Sequence, residues 1–491
     1  KHSPNLVRTN FGKGEVYKAT LISKILCLLV NKAASLDPEG VGIEMEANKP
    51  GWCDALNGLP AILGSSINIT AEVKRLAQMI VDIIKTYKVD NSTKVTVPEE
   101  VYEFFIEILS LLNKDISDYE YWNASNTVKE LFREKTIYGV SGVQKDIGLE
   151  EVVSFLEAVV KKTDCGIQKA FNEDSGVYYT YFINEVVKYK IQEDDSGVVF
   201  KDENGYPYVK ALEFRQRPIP YFLEGPVHIL RIERNVNKAR NLYNSIKTTG
   251  LYDKKLKMYL VNDNIMEETK EIGRQNVFPR GWLENEAVFL HMEYKYLLEL
   301  LRSGLHNEFF NEFKNCLIPF LDPGVYGRSI LENSSFIASS VHPDEKIHGT
   351  GFVSRLTGAS AELLSMWLAM TSGFQPFYLN DEGKLCLEMK PILPSWLFAE
   401  QQKELTFYKE MKETKVMLPA NSFAFNFMSN TLVVYHNESR KDTFGDLAAK
   451  INRIVLKKGD TIFEVEGSVI PEPYSTQVRD GFIDSIDIYF N

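Results

Sequence analysis

Apolar residues recur at helical spacing along most of the first three quarters of the chain. In the segment that begins at Thr70, the apolar residues on one helix face are Val73, Leu76, Ala77, Ile80, Val81 and Ile84. The same periodicity predicts further helices over residues 98–114, 149–162, 235–248, 284–303 and 359–372. Gly304 and Gly373 mark the ends of two of them, because glycine readily adopts the left-handed conformation that closes a helix. The pattern predicts a layered helical core.

Two stretches change to the alternating pattern of strands. Residues 187–217 alternate around Asp-Ser-Gly and Glu-Asn-Gly turn signals, which predicts a hairpin inserted between helices. After residue 390, alternation predicts strands near 422–428, 431–436, 461–469 and 483–490. We therefore expect a helical catalytic region over residues 1–390, with a hairpin insertion near 187–217, and a C-terminal β domain over residues 391–491.

Size and charge narrow the class of function. The 491 residues are enough for a large catalytic unit, and the net charge of −11 disfavours sequence-independent binding to nucleic acid. No apolar run approaches the ~18 residues of a membrane span, so we expect no membrane partner. Five cysteines without a Cys-x-x-Cys pair are typical of a reducing compartment, which predicts a cytoplasmic protein without a metal site.

The first candidate site is a loop that contains Trp52, Cys53, Asp54 and Asn57 between glycine and proline residues. An indole can stack on the C–H face of a sugar, and an apolar environment raises the pKa of a nearby carboxyl group so that it can donate a proton. The structural alternative is an aspartate that caps a helix beside a buried tryptophan.

The second segment contains Glu284, Asn285, Glu286 and His291 at the start of a predicted helix. Acidic residues in a first helical turn complement the helix dipole, and His291 lies two predicted turns after Glu284 on the same face. A hydrogen-bonded core histidine is the alternative. No HExxH or facial-triad spacing indicates a metal.

The third segment, Thr357-Gly358-Ala-Ser, directly precedes an apolar-periodic helix. Free backbone N–H groups, hydroxyl groups and the positive end of the helix meet there, which is the outline of an anion site. An ordinary N-cap is the alternative. Together, an acid beside an aromatic residue, a histidine and an anion site are what phosphorolysis of a glycosidic bond requires.

These segments, in this order, resemble the inverting glycoside phosphorylases of the cellobiose phosphorylase type. Trp52-Cys-Asp54-Ala-Leu-Asn57 is similar to the family's Asp-Trp-Asn-Asp-x-x-Asn loop, and Leu283-Glu-Asn-Glu-Ala-Val-Phe-Leu-His291 is similar to its Lys-Glu-Asn-Gly-Gly-Ile-Phe-x-His stretch. Leu356-Thr-Gly-Ala-Ser-Ala resembles the Leu-Thr-Gly-Thr-Ala loop. Ser339 falls where the family has a phosphate-binding glutamine.

The resemblance implies a mainly α fold, an (α/α)6 barrel of which this chain holds the C-terminal part, followed by a small β domain. It implies inverting phosphorolysis of a β-linked glucoside to an α-sugar-1-phosphate, a glycosyltransferase activity with inorganic phosphate as co-substrate and no further cofactor. The residue roles that it implies are general acid for Asp54, phosphate binding for His291, Thr357, Gly358 and Ser339, and substrate binding for Trp52, Glu284 and Asn285.

Departures from the family pattern leave the substrate and nucleophile open. Cys53, Leu283 and Ser339 replace the family's Asn, Lys and Gln. A longer β-glucan or another β-linked disaccharide therefore fits as well as cellobiose, and Arg355, Ser335 or Ser340 are the possible substitutes at phosphate. An inverting hydrolase is one alternative, with Glu284, Glu286 or Glu332 as its base. A non-catalytic carbohydrate-binding or assembly subunit is another.

Family members carry about half of the barrel helices ahead of the acid, whereas 53 residues precede Asp54 here. Half a barrel would expose a broad apolar face. We therefore expect that another chain or a missing N-terminal half completes the barrel, and that the protein forms an oligomer.

Overall fold

The computed structural model describes residues 6–47, 51–353, 358–409 and 412–491, and these residues form helices, short sheets and 3-10 turns. The helices within these ranges are α1 (Leu21–Ala33), α2 (Ile67–Thr86), α3 (Glu99–Leu112), α4 (Asp118–Thr136), α5 (Leu149–Lys169), α6 (Glu224–Ile232), α7 (Val236–Ile246), α8 (Leu290–Arg302), α9 (His306–Cys316), α10 (Pro323–Tyr326), α11 (Gly358–Ser372) and α12 (Tyr474–Arg479).

The strands up to residue 352 are β1 (Ile43–Glu44), β2 (Gly64–Ser66), β3 (Lys94–Pro98), β4 (Gln144–Gly148), β5 (Phe171–Asn172), β6 (Val177–Tyr178), β7 (Tyr181–Ile191), β8 (Val209–Pro218), β9 (Tyr252–Asp253), β10 (Met258–Tyr259), β11 (Val288–Phe289), β12 (Phe336–Ile337) and β13 (Gly351–Phe352). The remaining strands are β14 (Phe377–Leu379), β15 (Leu385–Glu388), β16 (Lys403–Lys409), β17 (Lys412–Leu418), β18 (Ser422–Phe427), β19 (Thr431–His436), β20 (Ile451–Lys458), β21 (Thr461–Glu466), β22 (Val469–Ile470) and β23 (Ser485–Phe490).

The chain divides into two compact units. The first contains residues 1–305 and 314–356, and the second contains residues 306–313 and 357–491. The predicted boundary at residue 390 falls inside the second unit, and as a division into domains it stays a prediction. The predicted (α/α)6 barrel is observed only in part. Many small sheets accompany the helices, and the described residues do not form a clear barrel.

The first unit is built on long amphipathic helices. Helices α1, α2, α3 and α5 bury their apolar faces in one core, which includes Leu29, Val81, Phe105 and Phe155. A four-stranded antiparallel sheet, ordered β1-β2-β7-β8, accompanies these helices. Its β7–β8 hairpin overlaps the excursion predicted at residues 187–217, and the distal half of β7 is exposed.

The second unit is rich in strands. Its five-stranded sheet has the order β18-β19-β23-β20-β21, in which the β19–β23 pair is parallel and the other pairs are antiparallel. Val433, Ile454 and Ile488 are fully buried on this sheet, as alternation predicts. The C-terminal β region is thereby confirmed. No described helix is long and apolar enough to cross a membrane.

The predicted helices agree with the structure where one apolar face is buried. The helices predicted over residues 98–114 and 359–372 correspond to α3 and α11, which occupy Glu99–Leu112 and Gly358–Ser372. Gly304 and Gly373 have φ angles of +76° and +86°, which confirms the left-handed ends. Periodicity did not predict α4, whose polar exposed surface dilutes the pattern.

Asp37 holds the connection between α1 and the sheet. Its buried carboxylate accepts hydrogen bonds from the backbone N–H groups of Val41 (2.9 Å) and Gly42 (2.8 Å) and from Ser65 Oγ (2.6 Å) and Gln216 Nε2 (2.9 Å). One side chain thus joins the loop after α1 to β2 and β8.

Replacing Asp37 with alanine leaves several buried donors without an acceptor. We expect Asp37→Ala to lower the free energy of unfolding by at least about 2 kcal/mol, with an unchanged urea m-value. Asp90→Ala is the control, since the exposed Asp90 side chain accepts hydrogen bonds from its neighbour Ser92 and from no other described residue. Equal stability of the two variants in urea titrations would contradict the anchoring role of Asp37.

Candidate functional site

The Trp52–Asp54 loop is fixed by its apolar residues and leaves its carboxylate exposed. Cys53, Ala55 and Leu56 are buried in a small core, and Asp54 begins a 3-10 turn that spans Asp54–Leu56. Gly58 follows, and a Cβ there would lie 1.9 Å from the carbonyl oxygen of Glu271, so the close approach requires glycine. Asp54 caps no described α-helix, so the structural alternative from the sequence is not realised.

The loop lies against the segment that carries Glu284. Cys53 Sγ is 3.6 Å from Gln275 Oε1, and Gln275 Nε2 donates a hydrogen bond to the carbonyl oxygen of Glu284. Burial raises the pKa of Glu284, the negative charge of Asp54 raises it further, and Arg274 acts in the opposite direction. The structure therefore brings Asp54 and Glu284 into one electrostatic environment.

A row of stacked aromatic rings joins Trp52 to His291. The rings of Trp52 and Phe289 lie 5.2 Å apart with an interplanar angle of 8°, and Phe289 meets the His291 ring edge-on at 5.9 Å. Phe289 also stacks on Phe336 at 5.0 Å, since the two residues are register partners in the β11–β12 pair. His291 lies in the first turn of α8 and is half-buried.

The expected helix start at residue 284 is wrong. Helix α8 begins at Leu290, because Leu283 and Glu286 have φ angles of +51° and +54° and form a tight turn that cannot propagate as a helix. Glu284 and Glu286 therefore do not occupy a first helical turn. Glu286 instead forms a two-point ion pair with Arg280, with N–O distances of 2.5 and 2.8 Å.

Two further predicted site residues are fully buried and bonded within the protein. Asn285 Nδ2 donates to the carbonyl oxygen of Phe278 at 2.8 Å, and Ser339 Oγ donates to the carbonyl oxygen of Glu286 at 2.6 Å. These contacts stabilise the turn that presents Glu284. Substrate binding by Asn285 and phosphate binding by Ser339 stay predictions.

The third predicted segment belongs to the second compact unit. Thr357 lies outside the described residues, as does Arg355, and Gly358 is the first residue of α11. The roles predicted for Thr357 and Gly358 in phosphate binding therefore stay predictions. Within the described ranges, no cluster of three or more His, Cys, Asp or Glu residues could hold a metal ion.

A buried carboxylate that the sequence analysis did not single out lies next to Trp52. Glu224, the first residue of α6, is 4% exposed and accepts a hydrogen bond from Tyr181 Oη. His228, one turn later, places Nε2 3.7 Å from Glu224 Oε1 and Nδ1 2.8 Å from Glu72 Oε1. The signal in the sequence was the glutamate inside the apolar stretch 219–230, with a histidine at the i+4 position.

The charges of this network support each other. Burial acts to raise the pKa of Glu224, but His228, Tyr181 and the nearby Trp52 indole outweigh burial and lower that pKa. Burial likewise acts to lower the pKa of His228, but Glu224 and Glu72 outweigh it and raise the pKa. The pair therefore favours an ionised glutamate and a protonated histidine.

No family model matches this chain, and no curated protein does. Among solved structures, it is similar to a GH63 mannosylglycerate hydrolase from Thermus thermophilus determined with glucose, at 11% identity and a TM-score of 0.30, over 70% of this chain and 66% of that chain. It is also similar to an uncharacterized conserved protein from the same organism, at 10% identity and a TM-score of 0.25, over 60% and 54% of the two chains. The chain thus spans less than two thirds of either protein, and similarities this weak carry no argument about function.

The protonated state of His228 predicts a pH-dependent stability. A histidine whose pKa is raised by folding contributes stability that is complete below the unfolded value near ~6.5 and is lost as the pH rises through the folded value. We expect the free energy of unfolding to fall above neutral pH, and His228→Gln to reduce this slope. Urea titrations from pH 6 to pH 9 measure it, with His348→Gln as the control. Parallel profiles for the parent and His228→Gln would rule out the charged pair.

Proposed function

We propose that the protein cleaves glycosidic bonds by hydrolysis with inversion, using Asp54 as general acid and Glu284 as general base. The observation that carries this proposal is that the half-buried carboxyl group of Glu284 interacts electrostatically with that of Asp54, which follows Trp52 by two residues. Glycosidases of the common types place two carboxyl groups on either side of the bond that breaks.

The two environments suit different steps. Asp54 is exposed, so its carboxyl group can reach the departing oxygen of a bound sugar. Glu284 is half-buried with a raised pKa, which makes its ionised form the stronger base. Asp54 would donate its proton to the leaving oxygen as the C–O bond breaks, while Glu284 takes a proton from the water that bonds to the anomeric carbon. Exchange with solvent then restores both groups.

The negative charge near Asp54 favours water over phosphate as the nucleophile. A phosphate anion would have to approach next to Glu284, whose charge repels it. Ser339, one of the predicted phosphate ligands, directs its hydroxyl proton to the Glu286 carbonyl oxygen. A substrate contact by Glu284, which the family resemblance implies, is compatible with its role as a base only if water lies between the sugar and the carboxylate.

Phosphorolysis is the second candidate, and His291 favours it. This residue lies in the first turn of α8, where the helix dipole and the imidazole can both attract an anion, and its ring contacts the Trp52–Phe289 stack. We also retain three proposals from the sequence: another chain completes the site, the protein forms an oligomer, and it is located in the cytoplasm.

Hydrolysis and phosphorolysis differ in their dependence on phosphate. We expect release of free sugar from β-linked gluco-oligosaccharides at an equal rate with and without inorganic phosphate, and an α-anomeric first product by proton NMR. Formation of sugar-1-phosphate that stops when phosphate is removed would replace hydrolysis with phosphorolysis. Absence of turnover on every β-glucoside would favour a non-catalytic binding subunit.

Substrates with different leaving groups distinguish the general acid from the general base. We expect Asp54→Asn and Glu284→Gln each to lower kcat/KM about 10²- to 10⁴-fold on an oligosaccharide. Asp54→Asn should retain activity on a glycosyl fluoride, whose leaving group needs no proton, whereas Glu284→Gln should not. Because Glu284 must be ionised, the parent's kcat/KM should fall as the pH drops through its raised pKa.

Glu157→Gln is the matched control, because Glu157 is exposed and its one described ion pair joins it to surface Lys85 at 3.6 Å. This variant should keep the parent's rate and pH profile. Loss of fluoride activity in Asp54→Asn together with retention in Glu284→Gln would exchange the two roles, and parental rates in both variants would remove the pair from the mechanism.

A further inference from the structure

A cavity of 1210 Å³ lies in the first unit, where four helices begin. Its lining includes Thr20, Ser66 and Pro98, which are the N-terminal caps of α1, α2 and α3, and Glu224, which opens α6. Trp52 lines the same cavity, whereas Asp54 does not. Trp52 is thus the residue of the Trp52–Asp54 loop whose side chain borders this second space.

Glu224 retains capacity to accept hydrogen bonds from a ligand. Its Oε2 accepts from Tyr181, but its Oε1 lies 3.7 Å from His228 Nε2, which is beyond an ordinary hydrogen bond. An ionised carboxylate offers about four acceptor positions. The other two carboxylates of the cavity are already occupied, Glu44 by Trp122 Nε1 (2.6 Å) and Glu46 by Arg133 Nη2 (2.7 Å).

Polar groups without a protein partner lie beside Glu224. Ser66 is 3% exposed, and its hydroxyl forms no hydrogen bond with the described residues, not even as a cap of α2. Asn68 is 5% exposed, and its Oδ1 accepts from the Ile69 N–H while its amide Nδ2 donates to no described group. The Trp52 indole N–H forms no hydrogen bond of ordinary geometry within the described ranges, although it lies near Glu224.

Buried polar groups are normally hydrogen-bonded, so this concentration of unused donors and acceptors indicates a ligand that supplies the partners. The wall also has an apolar part, which includes Ile43, Met45 and Val101, beside further polar residues such as Asn31 and Lys24. A sugar combines hydroxyl groups that can donate to a carboxylate with C–H faces that pack on apolar and aromatic surfaces. The volume exceeds the ~300–1,000 Å³ of ordinary small-molecule pockets, which provides room for more than one sugar unit.

We propose that this cavity is an oligosaccharide-binding subsite, in which Glu224, Ser66 and Asn68 bind sugar hydroxyl groups and Trp52 forms the wall toward Asp54. The inference rests on the proposed function for the choice of a carbohydrate. It assigns recognition of the remote units of the chain to residues that take no part in bond cleavage. The affinity should therefore increase with chain length beyond two sugar units.

Isothermal titration calorimetry with glucose, cellobiose and cellotetraose tests this assignment. Measurements use the full chain with Asp54→Asn, so that turnover does not consume the probe. We expect cellotetraose to bind more tightly than cellobiose, Ser66→Ala to weaken cellotetraose binding roughly 3- to 10-fold, and Glu224→Gln to weaken it at least about tenfold, because hydrogen bonds to a charge are stronger.

Ser154→Ala is the control, since Ser154 is exposed on α5 away from the cavity lining. Glu224→Gln could unfold through its contacts with Tyr181 and His228, so thermal unfolding accompanies every titration. Ser66→Ala removes no hydrogen bond of the described residues and decides the question if Glu224→Gln does not fold. Asn68→Ala provides a third, independent loss of affinity.

Parental affinity in Ser66→Ala and Asn68→Ala would overturn the subsite, as would binding of 1-octanol in competition with cellotetraose. Failure of the subsite can be distinguished from failure of the proposed hydrolase activity. Turnover that depends on Asp54, with cavity variants that bind normally, would refute the subsite alone. Binding that depends on the cavity in a protein without turnover would support the subsite and refute the hydrolase.

Discussion

The interaction on which the site most depends is the buried contact of Glu224 with Tyr181 and His228. An isolated carboxylate in a protein interior costs several kcal/mol, so this glutamate requires partners at fixed positions. Tyr181 supplies one from β7 and His228 supplies another from α6. His228 in turn requires Glu72 on α2. One buried charge thereby fixes a strand and two helices relative to each other.

This constraint extends to the candidate reaction site through Trp52. The indole lies near Glu224 on one side and stacks on Phe289 on the other, and Phe289 belongs to the strand that directly precedes α8. Movement of α6 would therefore disturb the Trp52 ring, which belongs to the same loop as Asp54. The same geometry gives three carboxyl groups distinct environments: Asp54 is exposed, Glu284 is half-buried, and Glu224 is buried with a protonated partner.

The sequence predicted what local periodicity controls. Helices with one buried face agree with the structure within a few residues, as α3 illustrates. The strand predicted at 431–436 corresponds to β19, although β19 is buried on both faces over nearly its whole length. The helix start at residue 284 failed because two residues with positive φ form a turn inside an apolar-periodic stretch. Glu224 was missed because its significance depends on Tyr181 and Glu72, which lie 43 and 152 residues away in the chain. The local signal, a glutamate in an apolar stretch with a histidine at the i+4 position, does not reveal partners that lie so far away in the chain.

The choice between water and phosphate depends on the sign of the charge near Asp54. The protein carries a net charge of −11, so a phosphate anion must overcome a repulsive field before any local contact holds it. Glu284 adds a negative charge next to the acid, and Arg274 is the cation that offsets it. His291 lies in the first turn of α8, where the helix dipole favours an anion but supplies only about half of a positive charge. Phosphate would therefore require further cations, whereas attack by water would require only a base, the role proposed for Glu284.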